Sequence, residues 1–461
     1  MSVAGILALL AVAAMLALGF WAGRVDRRHG GDSEGFWTAH RSLSGWSLGM
    51  SLSASMLSVS WSLVFGVELL YRYGWGGLWL LAVPWLITLA LFCWLAPRLR
   101  GFGAFSQGEL FARIYGRDLQ RLTVAVLSLV FLAWCGAEIA AAGQLLAPAL
   151  KVPAWAIMVA LAALVAAYSW VGGFRAVVWT DVAQFLLIAG FLLFLGWRAW
   201  PAAANLAPLG QMPGPSPLLV AITLVAYITG WLAEADIWLR LTAAKSHAHA
   251  RLALALTMLV SLIWVVALPA VLAAACRALF PAPGKSPVLA ALMARLLPEQ
   301  LNLLWTGGLA AVALSTISTT ANVVAVSWAR DWPRAAEKSM SLAWARWTSA
   351  LAVVAALGVA FVARSLAELF YLTAGLLSAG LFWPTLGLWN AKWRPAARRA
   401  SGIGLGAVLV SFTLERTGLW QFTEEPGLLE LGIGYIPPAL AVGALTFLVG
   451  LGWGGLPRTK G

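Results

Sequence analysis

Thirteen long apolar stretches follow one another along this chain, and they constrain it to a bundle of membrane-spanning helices. A helix needs about 20 apolar residues to cross the hydrocarbon core of a bilayer. The composition agrees, since 61% of the 461 residues are hydrophobic, 11% are charged and the mean hydropathy is +0.85. We therefore predict one all-α integral membrane domain over residues 1–461. The predicted spans are 2–23, 43–70, 78–96, 122–148, 153–171, 179–200, 217–238, 252–280, 303–328, 344–363, 366–389, 401–414 and 432–455.

The 31 Lys and Arg residues are distributed unevenly between the segments that connect these spans. If the connecting segments alternate between the two sides of the membrane, 23 of the 31 fall on one side. Basic residues accumulate in cytoplasmic loops, so the N-terminus is predicted outside and the C-terminus inside. Arg24, Arg27 and Arg28 follow the first apolar run, which favours a retained helix over a secretion signal. The same distribution accounts for most of the net charge of +13 without a nucleic-acid partner.

The order of the spans predicts an inverted repeat. When the first helix is set aside, spans two to six run in the opposite sense to spans seven to eleven, a common plan of secondary transporters. The leading helix of each unit carries an interruption, GMSLSASMLSVS at 49–60 and YITGWLAEAD at 227–236. Interrupted helices at matched positions indicate a binding site. The predicted organisation is an extra first helix at 2–23, a first repeat at 43–200, a second repeat at 217–389 and two C-terminal helices at 401–455.

The ninth span contains a cluster of hydroxyl side chains, which consists of Ser315, Thr316, Ser318, Thr319 and Thr320. In a helix, a Ser or Thr hydroxyl reaches the backbone carbonyl three or four residues earlier. The carbonyl of Val312 is within that reach of both Ser315 and Thr316, so three oxygens converge. A hard cation prefers oxygen ligands, and a broken helix supplies further carbonyls. The alternative is that these hydroxyls only bond to their own helix or pack against a neighbour.

Four segments, in this order, resemble motifs of the sodium:solute symporter family: HRSLSGWSLGMSLSASMLS (40–58), GGFRAVVWTDVAQ (172–184), DIWLRLTAAKSHAHAR (236–251) and ALSTISTTANVVAVSWARD (313–331). The resemblance covers essentially the whole chain. It implies the LeuT-type inverted-repeat fold and the uptake of a small organic solute with sodium as the coupling ion and no other cofactor. It also implies carbonyl ligands in the second span, so the predicted sodium ligands are Ala54, Leu57, Val312, Ser315 and Thr316.

Two acidic residues lie within predicted spans, where a charge costs about 2.5–3.5 kcal/mol on insertion scales and marks a candidate functional group. Glu138 lies in the fourth span, and its alternative role is a protonated carboxyl bonded to a neighbouring helix. Glu234 lies in the interrupted seventh span, where aromatic residues line the pocket of proline permeases, which this chain resembles. Its alternative role is an acid in a water-filled inner vestibule. The predicted solute contacts are Met56, Ser58, Glu138, Tyr227, Trp231, Glu234, Ser318 and Thr319.

Three other positions bear on the site. Asp181 belongs to the WTD motif at the start of the sixth span, and in some family members this acid is linked to a further cation site. A helix cap is the alternative role. Asp236 and Arg240 are four residues apart and are predicted to pair in a structural role near the inner surface. Many family members have Asp or Asn where this chain has Met56, so the pocket is not expected to copy a proline or sugar site.

Other classes of function have less support. All four histidines fall in predicted inner loops, which argues against a membrane-embedded enzyme and against a metal other than sodium. Proton coupling through Glu138 or Glu234 and a transporter-like membrane sensor stay open as alternatives. We therefore expect a sodium-coupled transporter, not an enzyme, that spans a bacterial inner membrane several times.

Overall fold

The structure, a computed structural model, describes residues 33–282, 288–296, 302–332, 341–362 and 366–453, together with residues 17, 18, 21, 24 and 25. The predicted first span at 2–23 lies largely outside the described residues. The described chain is all-helical, as predicted. Its main helices are α1 (Ser33–Thr38), α2 (Gly45–Met56), α3 (Gly66–Tyr73), α4 (Ala82–Gly101), α5 (Gln107–Tyr115), α6 (Arg117–Leu150), α7 (Ala154–Ala199), α8 (Pro217–Trp231), α9 (Ala235–Ala243), α10 (His247–Ser261), α11 (Leu268–Leu279), α12 (Val288–Leu296), α13 (Asn302–Ala329), α14 (Leu342–Val362), α15 (Leu366–Leu376), α16 (Phe382–Leu386), α17 (Arg394–Arg416), α18 (Pro426–Leu431) and α19 (Ile436–Trp453).

Several helices are suited to lipid. Six helical stretches of the described chain are long and apolar enough to cross a membrane, and the bent pair of α8 and α9 forms a seventh candidate. A backbone in lipid must satisfy its own hydrogen bonds, which is why apolar runs of this length form helices. Large apolar side chains also cover outer faces: Leu186, Leu193 and Trp197 on α7 are 64%, 59% and 68% exposed. These features describe a multi-pass membrane protein. The count of thirteen spans, the orientation of the termini and the division into two repeats stay predictions.

Serine side chains mark where several helices begin. The hydroxyl oxygens of Ser44, Ser216 and Ser246 accept hydrogen bonds from the backbone N–H three residues later, at 3.1–3.3 Å. Such a cap satisfies one of the N–H groups that the first turn leaves without a helical partner. The serines therefore help to define the beginnings of α2, α8 and α10.

Helix α7 differs from the sequence-based expectation, because it joins the predicted spans 153–171 and 179–200 through a break instead of a loop. The break is at Gly173, where φ is +54°. A Cβ atom at this position would lie 2.4 Å from the carbonyl oxygen of Phe36. Only glycine combines this φ with so close a backbone neighbour. The pattern of apolar residues predicted an interruption between residues 171 and 179. It did not predict that the helix continues directly after Gly173.

Both predicted helix interruptions are confirmed. Helix α2 ends at Met56, and Leu57 and Ser58 have non-helical backbone angles before a π-helical segment begins at Val59. Helices α8 and α9 are separated by three residues and bend by 40°. Helix α13 packs between α6 and α7 and also contacts α2. Its most apolar stretch is 94% buried inside the protein, against 39% for α14, so α13 is a central helix.

Candidate functional site

Glu138 on α6 holds the second half of the broken helix. Its fully buried carboxylate accepts hydrogen bonds from the backbone N–H groups of Val59 and Ser60 at 2.7 and 3.0 Å. The hydroxyls of Ser58 and Ser60 donate to it at 2.6 and 2.7 Å. The first N–H groups of a helix have no partner within the helix, and the helix start carries a partial positive charge. The carboxylate of Glu138 accepts hydrogen bonds from these N–H groups, and its negative charge is favourable at this end of the helix. Glu138 does not line the cavity described below, and its contact with a solute stays a prediction.

Thr316 on α13 connects that helix to the end of α2. Its hydroxyl donates to the backbone carbonyl of Ser55 at 3.0 Å and lies 3.4 Å from the carbonyl of Val312 in its own helix. The predicted carbonyl ligands Ala54 and Leu57 lie on either side of Ser55 in the chain, where α2 ends. The predicted sodium ligands therefore belong to two segments in direct contact, one of which has an interrupted helical backbone.

The remaining hydroxyls of α13 have different partners. Ser315 donates to Oδ1 of Asp181 on α7 at 2.8 Å, and a hydroxyl that donates its proton keeps lone pairs for a cation. Ser318 and Thr320 instead bond to the carbonyls of Ser315 and Thr316, at 2.9 and 2.7 Å. Ser318 and Thr320 therefore bond within their own helix, which is the alternative role considered for these hydroxyls. Ser315 and Thr316 bond to neighbouring helices.

Arg240 on α9 inserts a buried guanidinium beside these hydroxyls. Its Nη2 donates to the hydroxyls of Ser55 at 2.6 Å, Thr319 at 2.9 Å and Ser51 at 3.1 Å. The same nitrogen lies 3.3 Å from Oδ2 of Asp181, which also accepts a 2.6 Å hydrogen bond from Ser51. A buried charge needs partners of this kind, because desolvation is costly. The cluster connects α2, α7, α9 and α13 around one buried guanidinium.

Two sequence-based interpretations change at this cluster. Asp181 lies inside the continuous part of α7, well after the break at Gly173, so the helix-cap alternative is wrong. Asp236 and Arg240 pair as predicted, with Nη1 donating to Oδ1. Both are only 2% exposed, and Asp236 lines the central cavity, so the pair is buried instead of being at a surface. The four-residue spacing predicts the pairing, but it does not show how deeply a bent helix enters the protein.

A central cavity of about 70 Å³ lies between the two broken helices. The predicted solute contacts Met56, Ser58, Tyr227, Trp231, Glu234 and Thr319 line it, whereas Ser318 and Glu138 do not. The wall also has an aromatic part that the sequence pattern did not predict, formed by Trp61, Trp85, Phe131, Trp134 and Phe370. Of these, Trp61 follows the predicted interruption at 49–60 directly, and that position could have identified it.

Four aromatic rings of the wall pack against one another. Tyr227 and Trp231 are stacked, with ring centroids 4.5 Å apart. Trp231 is nearly perpendicular to Trp61 and to Trp85, at 5.4 Å in each case, and Trp61 and Trp85 are 5.9 Å apart. The indole N–H of Trp85 donates to Ser261 at 3.1 Å, which fixes its ring. Aromatic groups from three helical segments therefore form one rigid corner of the cavity.

Glu234 lines the same cavity between α8 and α9 and is only 3% exposed. Its side chain does not cap α9, and within the described part of the chain it has no hydrogen-bond donor or ion-pair partner. The neighbouring Asp236 bonds to Arg240 through Oδ1, while its buried Oδ2 accepts no hydrogen bond from the residues that the structure describes. The cavity thus combines an aromatic wall with acidic oxygens that the protein does not fully satisfy.

Comparison with known proteins identifies the family. The profile of the Sodium:solute symporter family matches residues 36–388, which is more than half of the chain. A curated relative, the human sodium/iodide cotransporter, is 28% identical over 179 residues. That match covers 39% of this chain and only 28% of the relative's length.

Solved structures support the same fold. A Na⁺-coupled sialic acid symporter, in a substrate-bound outward-open state, has a TM-score of 0.73 at 15% identity, over 97% of this chain and 98% of the other. A nucleobase-cation-symport-1 family transporter, in a closed conformation with bromovinylhydantoin bound, has a TM-score of 0.56 at 15% identity, over 91% of this chain and 94% of the other. The predicted LeuT-type helical fold is thereby confirmed, and on the family match the chain belongs to the sodium:solute symporter family, a family of transporters and not of enzymes.

Proposed function

We propose that this chain imports a small organic solute together with sodium by alternating access across a bacterial inner membrane. The observation that carries the proposal is the contact of Thr316 with the end of α2, beside Ser315. Hydroxyls of an intact helix and carbonyls of a broken one meet there in a buried place, which suits a hard monovalent cation. The predicted ligands Ala54, Leu57, Val312, Ser315 and Thr316 would supply the oxygens.

The two coupled sites lie next to each other. Thr316 bonds to Ser55 and also lines the cavity, so the proposed sodium position and the solute cavity share a wall. A cation that joins α13 to α2 would stabilise the wall on which the solute binds. Binding of either partner would then favour binding of the other, and this reciprocity is the thermodynamic basis of symport. The proposed sequence of events is sodium binding, solute binding and a change of access.

Proton coupling is the second candidate, because Glu234 is a buried acid whose side chain forms no hydrogen bond or ion pair within the described part of the chain. Purified protein in proteoliposomes separates the two ions. Labelled amino acids, carboxylates, sugars and amines are offered under an inward sodium gradient, an inward proton gradient or neither, with potassium as the replacement cation. Uptake that requires the sodium gradient supports the proposal. Uptake that follows the proton gradient alone, and loses its pH dependence in Glu234→Gln, would favour proton coupling.

A further inference from the structure

The chemistry of the cavity wall indicates what kind of solute it accepts, and this inference rests on the proposed function. Three carboxyl groups, those of Asp181, Glu234 and Asp236, lie together with one cation, Arg240, and each of the four is at most 3% exposed. Arg240 bonds to Asp236 and lies against Asp181, and the proposed sodium would lie beside Asp181 through Ser315. Glu234 forms no ion pair of its own within the described part of the chain, and its nearest cation, Arg240, is already bonded to Asp236. A buried carboxyl group is stable only when it is paired or protonated, and a cationic solute would supply the missing partner.

The aromatic corner faces the same space as Glu234. Tyr227, Trp231, Trp61 and Trp85 all line the cavity, and their mutual packing fixes their orientation. Faces of tryptophan and tyrosine rings attract cations through their quadrupole, most strongly where water is excluded. A carboxylate beside several such rings is a suitable environment for an alkylated ammonium group, which is positively charged but has an apolar surface.

The state of the hydrogen-bond donors in the cavity wall makes an anion or a sugar an unsuitable solute. Most of the wall's described hydroxyl and indole donors already have acceptors in the protein. The committed donors are Ser58 and Ser60 to Glu138, Thr316 to Ser55, Thr320 to Thr316, Trp85 to Ser261 and Trp134 to Thr373. Among the described lining residues none is Lys, Arg or His. A ligand that must accept several hydrogen bonds would find few available donors, whereas a quaternary ammonium group requires none.

We propose that the cavity binds a small organic cation of the substituted-ammonium class, with its charge against Glu234 and its alkyl groups against the rings of Tyr227, Trp231, Trp61 and Trp85. Glu234 supplies the opposite charge, and the aromatic corner selects alkylated nitrogen over a hydrated metal ion. An amino-acid zwitterion fits only if its ammonium group enters this corner.

Binding to the purified transporter in lipid nanodiscs tests the proposal. The probes are tetramethylammonium chloride, the neutral compound tert-butanol and sodium iodide, each titrated in sodium-containing buffer and followed by tryptophan fluorescence and thermal unfolding. We expect saturable binding of tetramethylammonium alone. We expect Glu234→Gln and Trp231→Leu each to weaken it by at least about tenfold, and Trp231→Phe to weaken it less because a ring remains.

Glu68→Gln is the matched control, because Glu68 is a paired glutamate outside the cavity, and it should leave binding unchanged. A cooperative thermal unfolding transition shows that each variant is folded. Sodium-dependent stabilisation is measured separately, without tetramethylammonium and against potassium. This sodium measurement separates the two proposals, since the absence of sodium stabilisation in the parent protein contradicts sodium coupling only. Equal tetramethylammonium affinity in Glu234→Gln and the parent, or saturable binding of iodide or tert-butanol in place of tetramethylammonium, would overturn the organic-cation proposal.

Discussion

Ser315 on α13 donates a 2.8 Å hydrogen bond to Asp181 on α7, although the two residues are 134 positions apart in the chain. The bond orients the hydroxyl so that its lone pairs stay available on the side away from Asp181. Asp181 in turn lies against Arg240, so the proposed sodium position, the buried ion pair and the solute cavity form one connected polar region.

Removal of either predicted side-chain ligand should weaken sodium binding. We expect Ser315→Ala and Thr316→Ala to raise the sodium concentration for half-maximal stabilisation about three- to tenfold, equivalent to roughly 0.7–1.4 kcal/mol for one lost ligand oxygen. Sodium titration of thermal unfolding in nanodiscs provides the measurement. Thr320→Ala is the control, since that hydroxyl bonds within its own helix. Unchanged sodium affinity in both variants would show that the ion binds elsewhere.

Loss of the Glu138 carboxylate should destabilise the broken helix. Glu138→Ala leaves the N–H groups of Val59 and Ser60 without their acceptor, at a cost of about 1–3 kcal/mol for each buried donor. The transition temperature of the purified protein should fall clearly. Glu138→Gln, which keeps one acceptor oxygen, should lie between Ala and the parent. A variant Glu138→Ala as stable as the parent would contradict the capping role.

Cysteine labelling tests the predicted orientation of the membrane spans. In a background with Cys93, Cys135 and Cys276 replaced by serine, an impermeant maleimide added to intact cells should label Glu424→Cys. It should not label Lys245→Cys or Arg398→Cys until the membrane is permeabilised, because the basic loops are predicted inside. Labelling of Arg398→Cys in intact cells would contradict the thirteen-span topology.

Asp331 lies just after the end of α13, and its buried carboxyl should make the free energy of unfolding depend on pH. Burial raises the pKa of this carboxyl from 3.8 to about 7, although the 2.5 Å hydrogen bond from Ser106 lowers it. The folded protein therefore binds a proton more tightly than the unfolded chain does. The resulting stabilisation is complete below the unfolded pKa and is lost as pH rises through about 7.

Asp331→Asn resembles the protonated form, so its thermal stability should depend less on pH than that of the parent between about pH 5 and pH 8. The transition temperature of the parent should fall relative to this variant as pH rises. Asp118→Asn is the control, because Asp118 is 75% exposed. An identical pH profile for Asp331→Asn and the parent would rule out a contribution from this residue.

Much of the site could be predicted from residues that are close in sequence. The interruptions at 49–60 and 227–236, the adjacent hydroxyls of Ser315 and Thr316 and the pairing of Asp236 with Arg240 all follow from helical spacing and polarity. These are local properties, because backbone hydrogen bonds and neighbouring side chains determine where a helix in lipid begins, breaks and ends. The family membership likewise followed from four motifs along the chain.

The tertiary structure decided which distant groups meet. Only the packing of α6 against the broken helix shows Glu138 as a cap, because its partners lie 78–80 residues away. The bend between α8 and α9 brings Arg240 to Asp181, and the packing of α8 against α4 places Trp231 beside Trp85 and Trp61. Spacing within a helix indicates the face on which a residue lies, whereas the partner of that face depends on how helices pack. The sequence by itself therefore determined a membrane transporter with two interrupted helices, and the packing of those helices decided the chemistry of the cavity between them.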